Sequence, residues 1–367
     1  MDLATLSERH GGFFVPAFVV TVGGADLTQQ LAIGVSQVEV DLALGGMGRF
    51  SFTVVNTFDA EQREFLAGDG RKVLDILTFG AQVEVKVGYG DRAGLTTMLA
   101  GVITEITTSF AESGSPELSV SGYDHLFPMT LGKQSRSWSQ LADSDVVDRF
   151  AREYNLDADV VPTRQKHAQI EQNQESDFEL MQKLATRNHF EFYVRAPKTL
   201  RFGPPRDRDE GVVSLIWGEG LLSFKPEANL ATQVTTVEVY GWDPQQKKAI
   251  VGKATAPETS GLDPRRTSAG ERLRVAVGKP PVLQVRQPVF TEAEAKRRAT
   301  AILNDHAKNF VTGDAECLGL PDILPDRNVT LGGLGELFSK TYYVHQATHK
   351  VDTSGYRTRI KVKETSL

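Results

Sequence analysis

The sequence predicts a β-rich α+β fold. Short segments with alternating apolar and polar residues fill most of the chain from Pro16 to about Gly122, and similar segments return after Gly203. Three stretches with helical spacing, beginning near Asp143, Ser176 and Thr291, interrupt this pattern. Alternating strands with one polar face are typical of an antiparallel barrel or sandwich and argue against a doubly wound parallel sheet.

The overall composition fits a folded protein with two or three domains. The chain has 367 residues, of which 40% are hydrophobic and 24% charged, and a net charge of −6. This acidic balance predicts no nucleic-acid partner and no anionic membrane partner. A single cysteine, Cys317, excludes an internal disulfide framework and a multi-cysteine metal site. The first residues contain no apolar signal-peptide core, so we expect synthesis in the cytoplasm without a signal peptide.

Five strands are predicted in the N-terminal part, because apolar side chains there recur at every second residue. Glycine-rich turn clusters separate them. The predicted strands are centred on Phe18–Val22, Val38–Leu42, Phe50–Val54, Val83–Val87 and Leu118–Val120.

A first helix is predicted after the start signal Asp143-Ser144-Asp145. Its acid-rich first turn suits the positive end of a helix dipole, and Asn155 is expected to end it. The polar run 164–174 is predicted to be a loop. One face of the helix carries Val146, Val147, Phe150, Ala151 and Tyr154.

The segment from Glu175 to Gly203 predicts a capped helix followed by a hairpin. Ser176 and Glu179 form a capping-box pattern, and Asn188 is the expected left-handed stop. We expect the aromatic face of the hairpin to fix the segment to its surroundings, since a buried Phe contributes roughly 3–5 kcal/mol. The apolar stripe and the inward face of the hairpin comprise Phe178, Met181, Leu184, Ala185, Phe190, Phe192 and Val194.

The chain after Gly203 is predicted to be mostly strands, with two exceptions. Residues 254–281 are rich in Pro, Gly, Ser and Arg and predict a mobile surface loop. Thr291 and Glu294 form a second capping-box pattern that opens a helix over residues 291–308. Predicted strands cover 212–217, 221–224, 233–240, 329–331, 342–347 and 356–362.

Two five-residue segments resemble each other. Val120-Ser121-Gly122-Tyr123-Asp124 and Val239-Tyr240-Gly241-Trp242-Asp243 each combine an apolar strand end, a glycine, an aromatic residue and an aspartate. Two barrels that end a strand with the same turn would explain the similarity, and so would chance. Tyr123, Asp124, Trp242 and Asp243 are therefore candidate structural or interface residues.

The last predicted strand has one wholly basic face, formed by Arg357, Arg359, Lys361 and Lys363. Two interpretations remain open. The basic face either protects a sheet edge from pairing with other chains or meets an acidic partner surface.

Catalytic and metal-binding signatures are weak. His345 and His349 lie four residues apart in a predicted strand, roughly 13 Å apart and too far to share one ion without other ligands. Cys317 lies in a predicted loop over 313–326 without a nucleophile motif. There is no Gly-x-Ser-x-Gly elbow and no His-Glu-x-x-His motif, while 47 acidic residues leave a carboxylate pair open. We predict no enzyme activity and no cofactor.

Several blocks together resemble the late control gene D family of contractile phage tails, which includes the hub portion of VgrG spike proteins. The most specific block runs from Ser176 to Phe202. The others, in chain order, are Phe79 to Tyr89, Leu99 to Ile103, Val120 to Leu126, Ser144 to Leu156, Val239 to Asp243 and Leu331 to Val344.

The resemblance implies two related antiparallel β-barrels with a helix-containing α/β segment between them. It implies a first barrel over residues 1–130, the α/β segment over 131–204 and the second barrel over 205–367. Three such chains would close into a ring that joins a sixfold tail tube to a trimeric spike. The sequence includes no spike β-helix, so a stand-alone hub is expected.

The partners implied are two further copies in a homotrimer, a separate trimeric spike protein, the tail tube or a tube-initiator protein, and other baseplate proteins. The expected location is the baseplate of a virion tail or an injection particle. Two alternatives are a β-rich cell-wall or polysaccharide hydrolase and a carbohydrate-binding module.

Overall fold

The computed structural model describes residues 1–112, 114–243, 246–255, 267–278, 280–289 and 291–367. The chain divides into two compact units. Unit 1 contains Met1–Pro205, Cys317–Asp326 and Gln346–Arg359; unit 2 contains Arg206–Glu316, Arg327–His345 and Ile360–Leu367.

Unit 1 begins with an antiparallel sheet in the strand order β2-β1-β7-β8-β9-β4-β3. Residues 346–351 pair with residues 38–43 at the β3 side. The elements in this part are helices α1 (Leu3–Arg9) and α2 (Val73–Ile76), with strands β1 (Pro16–Val22), β2 (Ala25–Asp26), β3 (Gly34–Ala43), β4 (Arg49–Val55), β5 (Phe58–Asp59), β6 (Glu64–Phe65), β7 (Gln82–Tyr89), β8 (Thr96–Ser109) and β9 (Glu117–Asp124).

The five N-terminal strands predicted from alternation are confirmed. Their inward side chains, such as Val40, Phe52 and Val85, are fully or almost fully buried in one apolar cluster. Polar neighbours such as Glu39 and Glu84 remain at the surface or half-buried. The period of two thus determines which face of this sheet forms the core.

The second part of unit 1 combines two small sheets with two helices. β10 (Gln134–Ala142) pairs with β12 (Lys166–Glu175), and a separate sheet has the order β11-β14-β13. Both helices bury their apolar stripes in one cluster. The remaining elements are α3 (Asp143–Glu153), β11 (Asp157–Val160), α4 (Asp177–Asn188), β13 (Glu191–Arg195) and β14 (Thr199–Gly203).

Two expectations in this part are wrong. The predicted loop over 164–174 is mostly strand β12, because its backbone forms a long antiparallel ladder with β10 and buries Ile170. The left-handed stop of α4 is His189, with φ of 55°, and not Asn188. Asn188 stays helical because its side chain donates to the carbonyl of Leu184 and to Asp143.

Unit 2 contributes most of a closed six-stranded barrel with the order β22-β21-β15-β16-β20-β23 and a closing contact between β22 and β23. Its core includes Val213, Leu331 and Tyr342. The elements are β15 (Gly211–Trp217), β16 (Gly220–Ala228), β20 (Val311–Leu318), β21 (Arg327–Gly332), α7 (Gly335–Phe338), β22 (Lys340–Asp352) and β23 (Gly355–Glu364).

The barrel is not purely antiparallel, which corrects the expectation for residues 205–367. β15 and β21 are parallel. Parallel neighbours need a long crossover connection and not a hairpin. Here the chain between β16 and β20 forms a separate three-stranded sheet before it returns to the barrel.

This separate sheet has the order β18-β17-β19 and carries helix α6 on one face. The sheet and the helix share a cluster that includes Val239, Ile250 and Leu303. A side chain at Gly252 would collide with the backbone of α6, so the glycine permits this close approach. The elements are β17 (Thr236–Asp243), β18 (Lys248–Ala254), α5 (Ala269–Ala276), β19 (Val282–Arg286) and α6 (Glu292–Lys308).

Predictions in unit 2 have mixed outcomes. Helix α6 begins after Thr291, whose side chain accepts from the Glu294 N–H, as expected. Part of the predicted loop 254–281 is instead helix α5, which a capping box between Ser268 and Glu271 starts. Residues 256–266 and 279 of that prediction lie outside the described residues.

Cys317 lies in strand β20, not in a loop. It is fully buried, and its Sγ lies 3.4 Å from the carbonyl oxygen of Thr358. Among the described residues, no helix is long and apolar enough to cross a membrane.

Candidate functional site

The helix–hairpin candidates Ser176, Phe178, Met181, Phe190 and Phe192 are packing residues. Ser176 Oγ accepts from the Glu179 N–H at 3.1 Å, and Glu179 accepts from the Ser176 N–H at 2.7 Å. Phe178 packs edge-on against Phe192 at 5.6 Å, and Phe190 against Phe202 at 5.2 Å. Ser176, Met181 and Phe192 are buried and cannot be contact residues, whereas Phe178 and Phe190 are half-buried at the edge of the cluster.

Buried carboxylates join α3 and α4 at both ends. Asp143, the first residue of α3, is almost fully buried and pairs with Arg187 in the last turn of α4. The Arg187 Nε donates to Asp143 at 2.7 Å and the Asn188 amide donates at 2.6 Å. The start of α3 is therefore fixed to the end of α4.

The opposite ends of the two helices are joined by Asp177, the first residue of α4. Tyr154, which follows the last turn of α3, donates its hydroxyl to Asp177 at 2.7 Å. Gln172 of β12 donates at 2.7 Å, and Arg136 of β10 forms a salt bridge. Burial, followed by the hydrogen bond to Asp177, raises the pKa of Tyr154.

Tyr123 and Asp124 form a corner at the end of β9. Asp124 is buried and accepts from the backbone N–H groups of Gly48 at 2.7 Å and Leu126 at 2.9 Å. Burial raises the pKa of Asp124 to about 7 despite these two hydrogen bonds. Tyr123 stacks on Phe127 at 6.0 Å. Asp124 is thus a structural residue that joins two turns.

Trp242 and Asp243 lie in a different structural environment from Tyr123 and Asp124, the residues they resemble in sequence. They end β17 in the three-stranded sheet, which is separate from the six-stranded barrel. Of the two explanations left open, a shared turn at the ends of strands in two barrels is therefore wrong for β17. Trp242 is 57% exposed on the sheet face opposite α6, and Asp243 accepts from the Gln246 N–H at 3.1 Å.

The basic residues of β23 alternate with buried ones, as predicted. Arg359 and Lys361 are exposed, while Arg357 and Lys363 are half-buried. The interpretation as a protected sheet edge is wrong, because β23 has a neighbouring strand on each side in the barrel. Burial, together with Lys363, Lys308 and Lys361, lowers the pKa of the nearby His345 to about 4.

His349 lies in a fully buried polar cluster of unit 1. Its Nε2 lies 2.9 Å from the Ile323 carbonyl oxygen, so Nε2 carries the proton and donates. Its Nδ1 therefore accepts from the Tyr356 hydroxyl at 2.8 Å. Burial lowers the pKa of His349 to about 4. Within the described ranges, no group of three or more His, Cys, Asp or Glu residues could hold a metal ion.

One family model, described as the Alg8 N-terminal domain, matches residues 15–353. The chain belongs to the Alg8 N-terminal domain family. A comparison with curated proteins gives no match.

Solved structures show a shared fold at low sequence identity. The prophage MuSo2 43 kDa tail protein from Shewanella oneidensis aligns with a TM-score of 0.70 and 14% identity, over 95% of this chain and 98% of that one. A tail protein from Neisseria meningitidis MC58 aligns with a TM-score of 0.68 and 15% identity, over 96% of this chain and 97% of that one. An E. coli component of the type VI secretion system aligns with a TM-score of 0.53 and 13% identity, over 94% of this chain and 76% of that one. The chain has the fold of these proteins.

Sequence reasoning missed most of the open sheet face around Trp242. Cross-strand register places Tyr240 between Val251 and Arg286, and Trp242 opposite Ala249. Only Trp242 was a candidate from sequence. Alternation in Lys248–Ala254 and Val282–Arg286 was the available signal, but these segments border the predicted loop 254–281 and neither was predicted to be a strand.

Proposed function

We propose that this protein is a structural baseplate hub of a contractile phage tail or a phage tail-like injection particle. The observation that carries the proposal is the fold match to two tail proteins, which extends over nearly the whole of both chains in each pair. In this role the protein joins the sixfold tail tube to a trimeric spike. Its partners are two further copies, a separate spike protein, a tube or tube-initiator protein and other baseplate proteins.

The resemblance to the late control gene D and VgrG hub family refines this proposal. Residues 1–130 would form the first tube-like barrel, residues 131–204 the α/β segment, and residues 205–367 the second barrel with its inserted sheet. The Ser176–Phe202 block would keep the α/β segment rigid. Arg357, Arg359, Lys361 and Lys363 would lie on an outward face available to an acidic partner.

Exposed apolar side chains support a role in assembly. Ile216 and Trp217 lie at the end of β15, close to the turn at Gly333. Phe14, Phe79 and Phe110 in unit 1 are also largely exposed. The adjacent Ile216 and Trp217 are the better candidates for a subunit contact, because single exposed apolar side chains are common on protein surfaces.

We expect the purified protein to be a homotrimer. A threefold ring is a closed assembly in which one patch of a subunit meets a different patch of the next. Size-exclusion chromatography with light scattering should give a mass close to three times 40.3 kDa. A monomer at micromolar concentration would contradict the trimeric hub.

A further inference from the structure

The N-terminal helix α1 buries little of its surface in unit 1. Among its seven residues, all of which the structure describes, Leu6 alone is buried. The N-cap is internal to this segment, because Asp2 Oδ1 accepts from the Thr5 N–H at 2.9 Å. A helix of this length is not stable by itself in water, so α1 is helical only while it is docked. The docking contacts therefore decide whether the segment is ordered.

Two neighbouring side chains at the end of α1 converge on one carboxylate. Arg9 Nη1 donates to Asp322 Oδ1 at 2.7 Å, and His10 Nε2 donates to Asp322 Oδ2 at 2.8 Å. The His10 and Asp322 side chains are only 12% and 13% exposed. Leu6, Arg9 and His10 are spaced three and four residues apart, so they project from one face of the helix. That face carries both the apolar contact and the contact to Asp322.

The turn that carries Asp322 is fixed to unit 1 by bonds that do not involve α1. The Tyr89 hydroxyl donates to the Gly319 carbonyl at 2.8 Å. On the other side of Asp322, His349 Nε2 donates to the Ile323 carbonyl at 2.9 Å. Because strands hold the turn from both sides, the turn stays in place when α1 leaves it.

Two glycines connect α1 to the rest of the chain. Gly11 and Gly12 have φ of 57° and 71°, in the left-handed region that glycine adopts without strain. The next residue, Phe13, packs edge-on against Tyr89 with ring centroids 5.3 Å apart. The glycines thus lie between the helix and a residue that is held on unit 1. A rotation at these two positions moves α1 and leaves β1 undisturbed.

From these contacts we propose that α1 is a strap on unit 1, latched by Asp322 and hinged at Gly11–Gly12, that opens without unfolding the strands beneath it. One buried leucine and one shared carboxylate hold the strap, whereas the strands are held by a continuous apolar core. Segments with few buried contacts open at a lower free energy than the core of the same protein.

Opening changes the surface that unit 1 presents. It uncovers the surface beneath Leu6 and the side of Tyr89 that His10 covers, where the ring centroids lie 5.9 Å apart. Phe14 and Val15, directly after the hinge, are largely exposed already. The open strap therefore adds apolar surface beside residues that are apolar and exposed in the closed state.

Hydrogen exchange of the whole protein, measured by mass spectrometry, tests the strap. In the wild type, peptides that cover residues 3–10 should exchange faster than peptides from β7 and β8, which each have a paired strand on both sides. Asp322→Asn should speed exchange in residues 3–10 by about tenfold or more, because the hydrogen bonds to a charged acceptor are lost. Exchange in β7 and β8 should not change.

Two further variants make the test specific. Asp352→Asn is a matched control, because Asp352 is also an ion-paired aspartate of unit 1, with Lys350 at 3.0 Å. It should leave exchange in residues 3–10 as in the wild type. The double variant Arg9→Ala, His10→Ala removes both donors from the strap and keeps the turn intact, so it should reproduce the effect of Asp322→Asn even if that variant folds poorly.

Three results would overturn the strap. Residues 3–10 of the wild type could exchange as slowly as β7 and β8, which would mean that α1 opens only when the whole unit unfolds. Exchange in residues 3–10 unchanged by the double variant would remove the latch. Equal acceleration in residues 3–10, β7 and β8 would make α1 an integral part of the core. Each result is independent of the number of copies in the assembly, so the strap and the proposed function can fail separately.

Discussion

Replacing Asp177 by alanine should lower the free energy of unfolding by about 2–3 kcal/mol, the range for losing hydrogen bonds to a buried charged group when its ion-pair partner stays partly exposed. The Asp177 carboxylate is almost fully buried and receives donors from three elements: Arg136 of β10, Gln172 of β12 and Tyr154 after α3. Alanine removes the shared acceptor: Arg136 keeps Gln172 and Glu153, Gln172 keeps the Glu175 carbonyl, and the Tyr154 hydroxyl loses its hydrogen bond to Asp177. It also removes an acidic group from the first turn of α4, where the helix dipole favours negative charge.

Two further variants make this prediction specific. Asp177→Asn preserves the shape and one carbonyl oxygen, so it should cost less than alanine. Glu171→Ala removes an exposed carboxylate from the same strand, β12, and should change stability by no more than about 0.5 kcal/mol. Urea unfolding followed by far-ultraviolet circular dichroism gives the three values. A cost for Asp177→Ala close to that for Glu171→Ala would show that the carboxylate does not fix the helices.

Local sequence patterns predicted the strands in which buried and exposed side chains alternate. Apolar and polar side chains alternate in the strands around Val40, Phe52 and Val85, because one face of the sheet packs in the core and the other faces solvent. Helix α4 was found from Ser176 and Glu179, whose mutual hydrogen bonds depend on neighbouring residues only. In such cases the determining interactions lie within a few residues of each other.

Elements with weak local signals were missed. Strand β12 has a single strongly apolar inward residue, Ile170, between polar side chains, so nothing in its own sequence distinguishes it from a loop. In β20 the inward residues Gly313, Ala315 and Cys317 are small, because Phe224 and Val362 fill the space beside Gly313. Pairing with distant strands, and not local propensity, makes both segments β.

For the candidate residues as well, the sequence indicated local features but not contacts between distant segments. The similarity between Tyr123-Asp124 and Trp242-Asp243 could not distinguish a buried corner, as at Asp124, from an exposed position at a sheet face, as at Trp242. The pairs that join α3 and α4 connect residues more than 20 positions apart, such as Tyr154 and Asp177, 23 apart. A single sequence gives no sign of such contacts, because Asp143 and Asp177 each stand in the first turn of a helix, where an aspartate is common for local reasons.

A second large effect is expected from pH, through His349. Burial lowers the pKa of His349 from its ordinary value of 6.5 to about 4, so the folded protein holds it neutral while the unfolded chain protonates it. The unfolded state then binds more protons over this range, and stability falls as the pH falls. Between pH 6.5 and 4 this one group should remove about 3 kcal/mol.

Asp124 acts in the opposite direction and, because its pKa shift is of similar size, offsets the His349 effect in the wild type. Its pKa is raised from 3.8 to about 7, so the folded state holds the extra proton and gains stability as the pH falls through that range. The wild-type curve alone therefore cannot isolate either group. Differences between the wild type and single variants can, since each difference removes one titrating group and keeps the other.

The decisive measurement is urea unfolding at pH 7, 6, 5 and 4 for the wild type, His349→Gln and Asp124→Asn. At pH 7, His349→Gln should be less stable than the wild type, because it disturbs the hydrogen bonds to Ile323 and Tyr356. That deficit should shrink by about 3 kcal/mol by pH 4, since glutamine does not titrate. The deficit of Asp124→Asn should instead grow as the pH falls. Deficits that stay constant with pH would show that neither buried group changes its protonation on folding.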